Sequence, residues 1–258
     1  MHIVAKEFSS FNEITVYDTN QLYGEMGKFR CLQFTDDAIQ GAIDLKNPKR
    51  IVLAYHRAVI HLMMLNNPLF EKVFVIGHGI GTIAGHYTDK QFTVAEIDGK
   101  VVELSKLYFR YPINNVVVGD GREILRYSEQ SSFDYIILDA FTHKGTPLHL
   151  TSMEFFEMTL AKLNTRGAII MNLMGKAKDD RFINAIHTTL RKSYLYIKAF
   201  TQQSEDETDI RNIIVIGSNK MFDFQVRDMA GFFEIELGQG HIIRDNGKAK
   251  SNVFCGEG

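Results

Sequence analysis

Apolar residues change their period twice along the chain. Up to about residue 46 they alternate with polar ones in short β-type runs, 2–8, 13–18, 29–34 and 38–43, separated by turn residues such as Asn20, Gly24 and Gly27. This spacing predicts a small antiparallel β cap. Over 50–66 the aliphatic positions (Val52, Tyr55, Val59, Leu62, Met63) fall at helical spacing, and Asn66-Asn67-Pro68 is a stop because the residue before a proline avoids the α region. From Lys72 the runs become continuously apolar: KVFVIG, FTVAEID, NNVVVGD and FDYIILD, separated by helical periods beginning near Thr82, over 99–108 and at REILRYS. Further helices are predicted over 152–163 and 180–192, and strands over 168–173, 194–200 and 212–217. Fully apolar strands alternating with helices are the pattern of a mostly parallel sheet covered on both faces. The fold class is therefore α/β, Rossmann-like and doubly wound, with the β cap in front. The expected divisions are a β-rich cap over 1–48, a Rossmann-like main domain over 49–220 and a C-terminal tail over 221–258 that packs on it.

Composition narrows the function. The 258 residues are 45% hydrophobic, enough to fill a core, and 29 Lys+Arg against 31 Asp+Glu leave a net charge of −2. No basic excess advertises a nucleic-acid backbone or an anionic membrane as partner. No apolar run is long enough to span a bilayer, the N-terminus lacks a leader-like apolar core, and Cys31 and Cys255 make neither a disulfide framework nor a metal-ligand spacing. A cytoplasmic protein acting on a small molecule is expected. The histidines 56, 61, 78, 86, 143 and 149 form no ligand pattern, so no metal site is expected, although His78 and His143 lie in predicted site loops.

In open α/β sheets ligands sit beyond the carboxyl ends of the strands. Four such ends carry polar residues. Gly77, Gly79 and Gly81 follow the first strand and allow either close approach of a ligand or a tight turn packing helix on strand. Glu96 ends the second strand, as a ribose diol acceptor or as a solvated acid. Asp120, between Gly119 and Gly121, is placed to accept from an exocyclic amine such as that of adenine, or is a plain Asp-Gly turn. Asp139 closes the most hydrophobic strand and opens the polar loop 141–147, where a carboxylate could meet a reacting group.

Six segments, in order and with matching gaps between residues 33 and 173, resemble the spermidine synthases or polyamine aminopropyltransferases, whose catalytic domain is a variant of the S-adenosylmethionine-dependent methyltransferase fold. They are TDDAIQ, like the family's LDGVIQ; Ala54-Tyr55-His56 at its Tyr-Gln; VFVIGHGIG, like VLVIGGGDG; AEID, like EID; VVVGDGREIL at its DGxxF; and FDYIILDAFTHKGTP, like YDVIITDSSDPxGPA. The resemblance implies that Glu96 holds the ribose, Asp120 the adenine amine, Gln40 the donor side chain and the turn from Gly77 to Gly81 the nucleoside backbone. It further implies that Asp139 is the base that deprotonates and orients the attacking amine, that Tyr55 lines the acceptor channel, and that the protein dimerises. The co-substrate would be decarboxylated S-adenosylmethionine or S-adenosylmethionine, with an amine-bearing small molecule as acceptor and no metal.

Departures keep the chemistry open. Ile80 stands where the family's glycine-rich turn has the aspartate that binds the donor's ammonium, and Thr142 stands at its second loop aspartate. The family's Pro-Thr-Tyr-Pro-Ser-Gly segment is replaced over 202–211 by a proline-free stretch with Glu205, Asp206, Glu207 and Asp209, which reads as a solvated loop or as a recruiter of polyamine. Aminopropyl transfer leads. Methyl or aminocarboxypropyl transfer from intact S-adenosylmethionine, or nucleoside binding without catalysis, are the alternatives.

Overall fold

The computed structural model describes residues 1–35, 39–142, 145–204, 206 and 209–245. Ala38, His143, Glu205, Glu207 and Cys255, together with the end of the tail, lie outside the described residues.

Strands β1 (His2–Phe8), β2 (Glu13–Leu22), β3 (Glu25–Phe34) and β4 (Ile39–Asp44) form an antiparallel meander in the order β1-β2-β3-β4. Asn20 and Gly27, expected as turn residues, lie inside β2 and β3 instead. The hairpin turns on Tyr23 and Gly24, both at positive φ (48° and 80°), the backbone that a two-residue loop between right-twisted strands requires. Both faces of this small sheet are used. Ile14, Val16 and Leu32 cluster on one side, and Tyr17, Phe29, Cys31 and Ala42 on the other with Leu53.

Helix α1 (Ala54–Asn66) begins four residues later than its periodicity suggests. Ile51 bridges to Ile43, and Arg57 Nη1 donates to the carbonyls of Ile51 and Val52 at 2.9 and 2.6 Å, which holds that stretch extended. Then follow β5 (Lys72–Ile76), the single turn α2 (Thr82–His86), β6 (Gln91–Glu96), α3 (Gly99–Phe109), β7 (Val116–Val118), α4 (Gly121–Arg126), β8 (Phe133–Leu138), α5 (Met153–Lys162), β9 (Leu163–Gly175), α6 (Arg181–Leu190), β10 (Tyr196–Gln202), β11 (Arg211–Ser218) and β12 (Phe232–Ile235).

The second sheet runs β12-β10-β11-β9-β8-β5-β6-β7. Its pairings are parallel from β9 to β7 and antiparallel among β9, β11, β10 and β12. The expected Rossmann-like, doubly wound and mostly parallel arrangement is what the chain forms. β8 shows why its run is continuously apolar: Phe133, Ile136 and Leu138 enter the core beneath α4, α5 and α6, whereas Tyr135 and Ile137 enter the core beneath α1. The edge strand β12 was not visible in the patterning. Among the described residues no helix is long and apolar enough to cross a membrane.

Candidate active site

The carboxyl ends of β8, β5, β6 and β7 lie side by side, which brings together the polar residues that close these runs. Backbone bonds lace the ends. Asp139 N donates to Ile76 O at 2.8 Å, Gly77 N to Ala95 O at 2.9 Å and Gly119 N to Glu96 O at 2.8 Å.

Gly77 has φ +98°, and a Cβ added there would lie 2.0 Å from the carbonyl oxygen of Asp139. Only glycine lets the first loop pass this close to the β8 end. Gly79 sits at φ +53° against the Gln40 carbonyl, and Gly81 at φ +78° against the Tyr111 ring. Gly121 abuts the Ile76 side chain, where a Cβ would come within 2.5 Å. The glycines of the first loop therefore pack it against the β8 end, the cap and the Tyr111 ring rather than simply setting helix on strand, and close approach of a ligand stays open.

Asp139 is almost enclosed. Its Oδ2 accepts from Tyr55 Oη at 3.0 Å and its Oδ1 from Asn172 Nδ2 at 2.9 Å, while Asn172 Oδ1 in turn accepts from Asn212 Nδ2 at 2.9 Å. Burial raises the Asp139 pKa above the ordinary carboxylate value, and the Asn172 and Tyr55 hydrogen bonds oppose that rise. Burial and the adjacent carboxylate hold the Tyr55 hydroxyl protonated, well above its usual range. His56 Nε2 stands 3.8 Å from Asp139 Oδ2, and burial pushes this imidazole down to about 3, so it is neutral at pH 7. Its Nδ1 is buried without a partner.

Glu96 is 8% exposed, so it is not a solvated acid at a strand end. Its two oxygens accept from the backbone N–H groups of His78 (2.8 Å) and Asp98 (3.0 Å), which ties it to the first glycine loop. Burial raises its pKa and these backbone bonds oppose the rise. Asp120 is more than a turn residue. Oδ1 caps α4 by accepting from Glu123 N at 3.0 Å, and Oδ2 meets His149 Nε2 at 2.9 Å, a bond that lowers the Asp120 pKa more than any other influence.

His78 is held by Ser105. Ser105 Oγ gives its only proton to Val102 O at 2.8 Å, so the 2.8 Å contact with His78 Nε2 requires that nitrogen to donate. Burial lowers the His78 pKa to about 4. Beneath the glycine loop, His56, Val75, Gly77, His78, Thr82 and Asp139 contribute to the lining of a small hollow of about 20 Å³ that opens outward. Among the described residues no Lys or Arg lines it.

Ile80 points elsewhere. It is buried with Ile14, Val16, Leu32, Val101, Leu104 and Phe109, where the cap meets α3, and it fills the space left by Gly41. A missing acid at this position is thus an apolar contact between cap and α3, not a bare wall of the hollow. Thr142 pairs with Gly145 through two backbone bonds of 2.9 Å, closing the loop after β8. Asn172, Asn212 and His149 were not singled out from the sequence. Asn172 carried a signal, a lone amide inside the apolar run of β9; Asn212 begins β11 and His149 sits in a loop, where a polar residue is unremarked.

The spermine/spermidine synthase domain model matches residues 52–203. The chain is 29% identical over 190 residues to a polyamine aminopropyltransferase of Vibrio vulnificus (strain CMCP6), covering 68% of this chain and 60% of the relative. It is 33% identical over 128 residues to the polyamine aminopropyltransferase of Thermococcus onnurineus (strain NA1), covering 45% of each. The matches thus span about half of these curated relatives' length. A probable spermidine synthase from Corynebacterium glutamicum ATCC 13032 superposes with a TM-score of 0.83 at 17% identity, over 97% of this chain and 99% of that one. A spermidine synthase solved with the transition state analogue AdoDATO superposes with a TM-score of 0.68 at 18% identity, over 92% of this chain and 82% of that one. The fold is theirs, and the chain belongs to the spermine/spermidine synthase family.

Proposed function

We propose that the protein transfers an aminopropyl group from decarboxylated S-adenosylmethionine to an amine-bearing small molecule. The observation that carries this reading is Asp139, a largely enclosed carboxylate at a strand end with one donor fixed on each oxygen. An acceptor amine, with a pKa near about 10, is almost wholly protonated at neutral pH. Asp139, made more basic by burial, takes one proton through a lone pair that Tyr55 and Asn172 leave open. The freed nitrogen pair attacks the carbon beside the sulfonium, the C–S bond breaks, and its electrons leave with the sulfur as methylthioadenosine. Held geometry supplies much of the acceleration.

Glu96 accepts the ribose hydroxyls, Asp120 the adenine amine, Gln40 meets the donor side chain, and the Gly77 to Gly81 turn lies along the nucleoside backbone. The lining of the hollow bears on which donor is used. An intact S-adenosylmethionine carries a carboxylate, and among the described residues the hollow beside Asp139 offers it two neutral imidazoles and no cation. The decarboxylated donor lacks that charge. One observation favours a second reading, transfer of a methyl or aminocarboxypropyl group from the intact donor: the turn bears Ile80 in place of an acid that would pair the donor ammonium.

Calorimetric titration with decarboxylated S-adenosylmethionine, S-adenosylmethionine and methylthioadenosine separates these. The decarboxylated donor is expected to bind tighter than the intact one by about tenfold or more, roughly 1.4 kcal/mol. The reverse preference would replace the aminopropyl reading with the second, and no binding of any of the three would remove the nucleoside site.

A further inference from the structure

The segment after β12 runs back over α6 as a strap. Gly238 N donates to Asn184 Oδ1 at 2.9 Å, Gly240 N to Thr188 Oγ1 at 2.8 Å and Ile243 N to Thr189 Oγ1 at 2.9 Å, so three polar side chains of one helix face hold successive strap amides. A Cβ at Gly240 would lie 2.4 Å from Ala185 N, so the strap presses directly on helix backbone. Ile243 is buried in the main core, and its carbonyl accepts from Met153 N at 2.8 Å.

At its end the strap meets a charge. Asp245 accepts from both Arg122 Nη groups, at 2.8 and 2.5 Å, and its own N–H donates to Glu154 Oε2 at 2.9 Å. Arg122 is 9% exposed, and Nη1 also donates to the carbonyl of His149 at 2.8 Å. His149 lies on the single turn Leu148–Leu150, too short to hold its own position, and its Nε2 meets Asp120 Oδ2 at 2.9 Å. An unbroken line therefore runs from Asp245 through Arg122 and His149 to Asp120.

We infer that Asp245, acting through Arg122 and His149, is a positioning residue for the adenine-reading carboxylate of Asp120. The inference rests on the proposed role of Asp120. The carboxylate is fixed at Oδ1 by the helix it caps, and the His149 contact fixes the other oxygen and hence the plane of the group. Without Asp245 a buried guanidinium loses its counter-charge and must move, and the His149 carbonyl moves with it. The strap is thus part of the nucleoside site although none of its residues need touch the ligand.

The test compares two nucleosides on the full chain by calorimetry: methylthioadenosine, and its analogue with hydrogen in place of the 6-amino group. The wild-type protein should favour the amino form. In His149→Ala, an exposed change that leaves the core untouched, and in Asp245→Asn, that preference should fall by about tenfold, with the affinity for the desamino analogue changed by less than about twofold. Asp245→Glu should restore part of the preference, which a role in stability alone would not predict. Variants that fold and keep the wild-type preference would overturn the inference while leaving Asp120 as the amine acceptor. A wild-type protein that binds both nucleosides equally, or neither, would overturn the role of Asp120 and the inference with it.

Discussion

Asp139 draws opposite influences from its neighbours, and this makes its titration informative. Burial raises its pKa, and the hydrogen bonds from Asn172 and Tyr55 oppose that rise. Of the titratable groups that face it, His56 loses its charge near pH 3 and Tyr55 stays protonated well past neutrality. The proton-transfer step needs the ionised carboxylate, so kcat/KM should rise with pH through one proton loss at a midpoint above the ordinary 3.8. Removing the Tyr55 bond removes an influence that lowers this pKa. Tyr55→Phe should therefore move the acid limb to higher pH, whereas His56→Ala should not move it upward. A pH–rate profile in which Tyr55→Phe leaves the limb in place would separate Asp139 from the rate-controlling proton. At this scale the sequence showed the carboxylates well, because each ends an apolar run, but not their partners. Asn172 and His149 come from segments distant in sequence, and only the closing of the sheet brings them to Asp139 and Asp120.

At the scale of elements, the apolar runs of β5, β6 and β8 were legible because strands buried on both faces carry no polar alternation to confuse them. β12 was not, since only Phe232 of its four edge residues is fully buried and its ladder partner is β10, remote in the chain. The start of α1 was misplaced because a bridge from Ile51 back to Ile43 of the cap outcompetes local periodicity. The glycines were legible as a group, but their separate demands were not. Gly24 at φ +80° has open space around it, whereas Gly77 at φ +98° faces backbone at 2.0 Å. Gly24→Ala should cost about 1–2 kcal/mol from the left-handed backbone alone. Gly77→Ala adds a backbone collision that can be relieved only by displacing the end of β8, so its loss should exceed about 3 kcal/mol and should abolish nucleoside binding. Denaturant unfolding with a parallel titration checks the order, and equal losses at the two positions would contradict it.

Across the whole molecule, the proposed site lies where the end of the parallel sheet meets the β cap, and the inferred line from the returning strap reaches it through Arg122 and His149. Ile80 belongs to this level. From the sequence it read as a lost amine ligand, whereas the fold uses it to seat the cap against α3, through a cluster that includes Ile14, Leu32 and Leu104. Its role could not be seen locally, because it depends on where the cap docks. The same holds for Asp245, more than a hundred residues from the Arg122 it neutralises. Both positions couple the periphery to the strand ends, so a chain with the family's fold can keep its strand-end carboxylates while changing what surrounds the donor's amine. The central claim is aminopropyl transfer with Asp139 as base, and turnover of decarboxylated S-adenosylmethionine with a panel of di- and polyamines, followed by mass spectrometry, tests it most directly. The account predicts methylthioadenosine together with an amine heavier by one aminopropyl group, and a fall of about 100-fold or more in kcat for Asp139→Asn. S-adenosylhomocysteine formed from intact S-adenosylmethionine, with no methylthioadenosine from the decarboxylated donor, would contradict it.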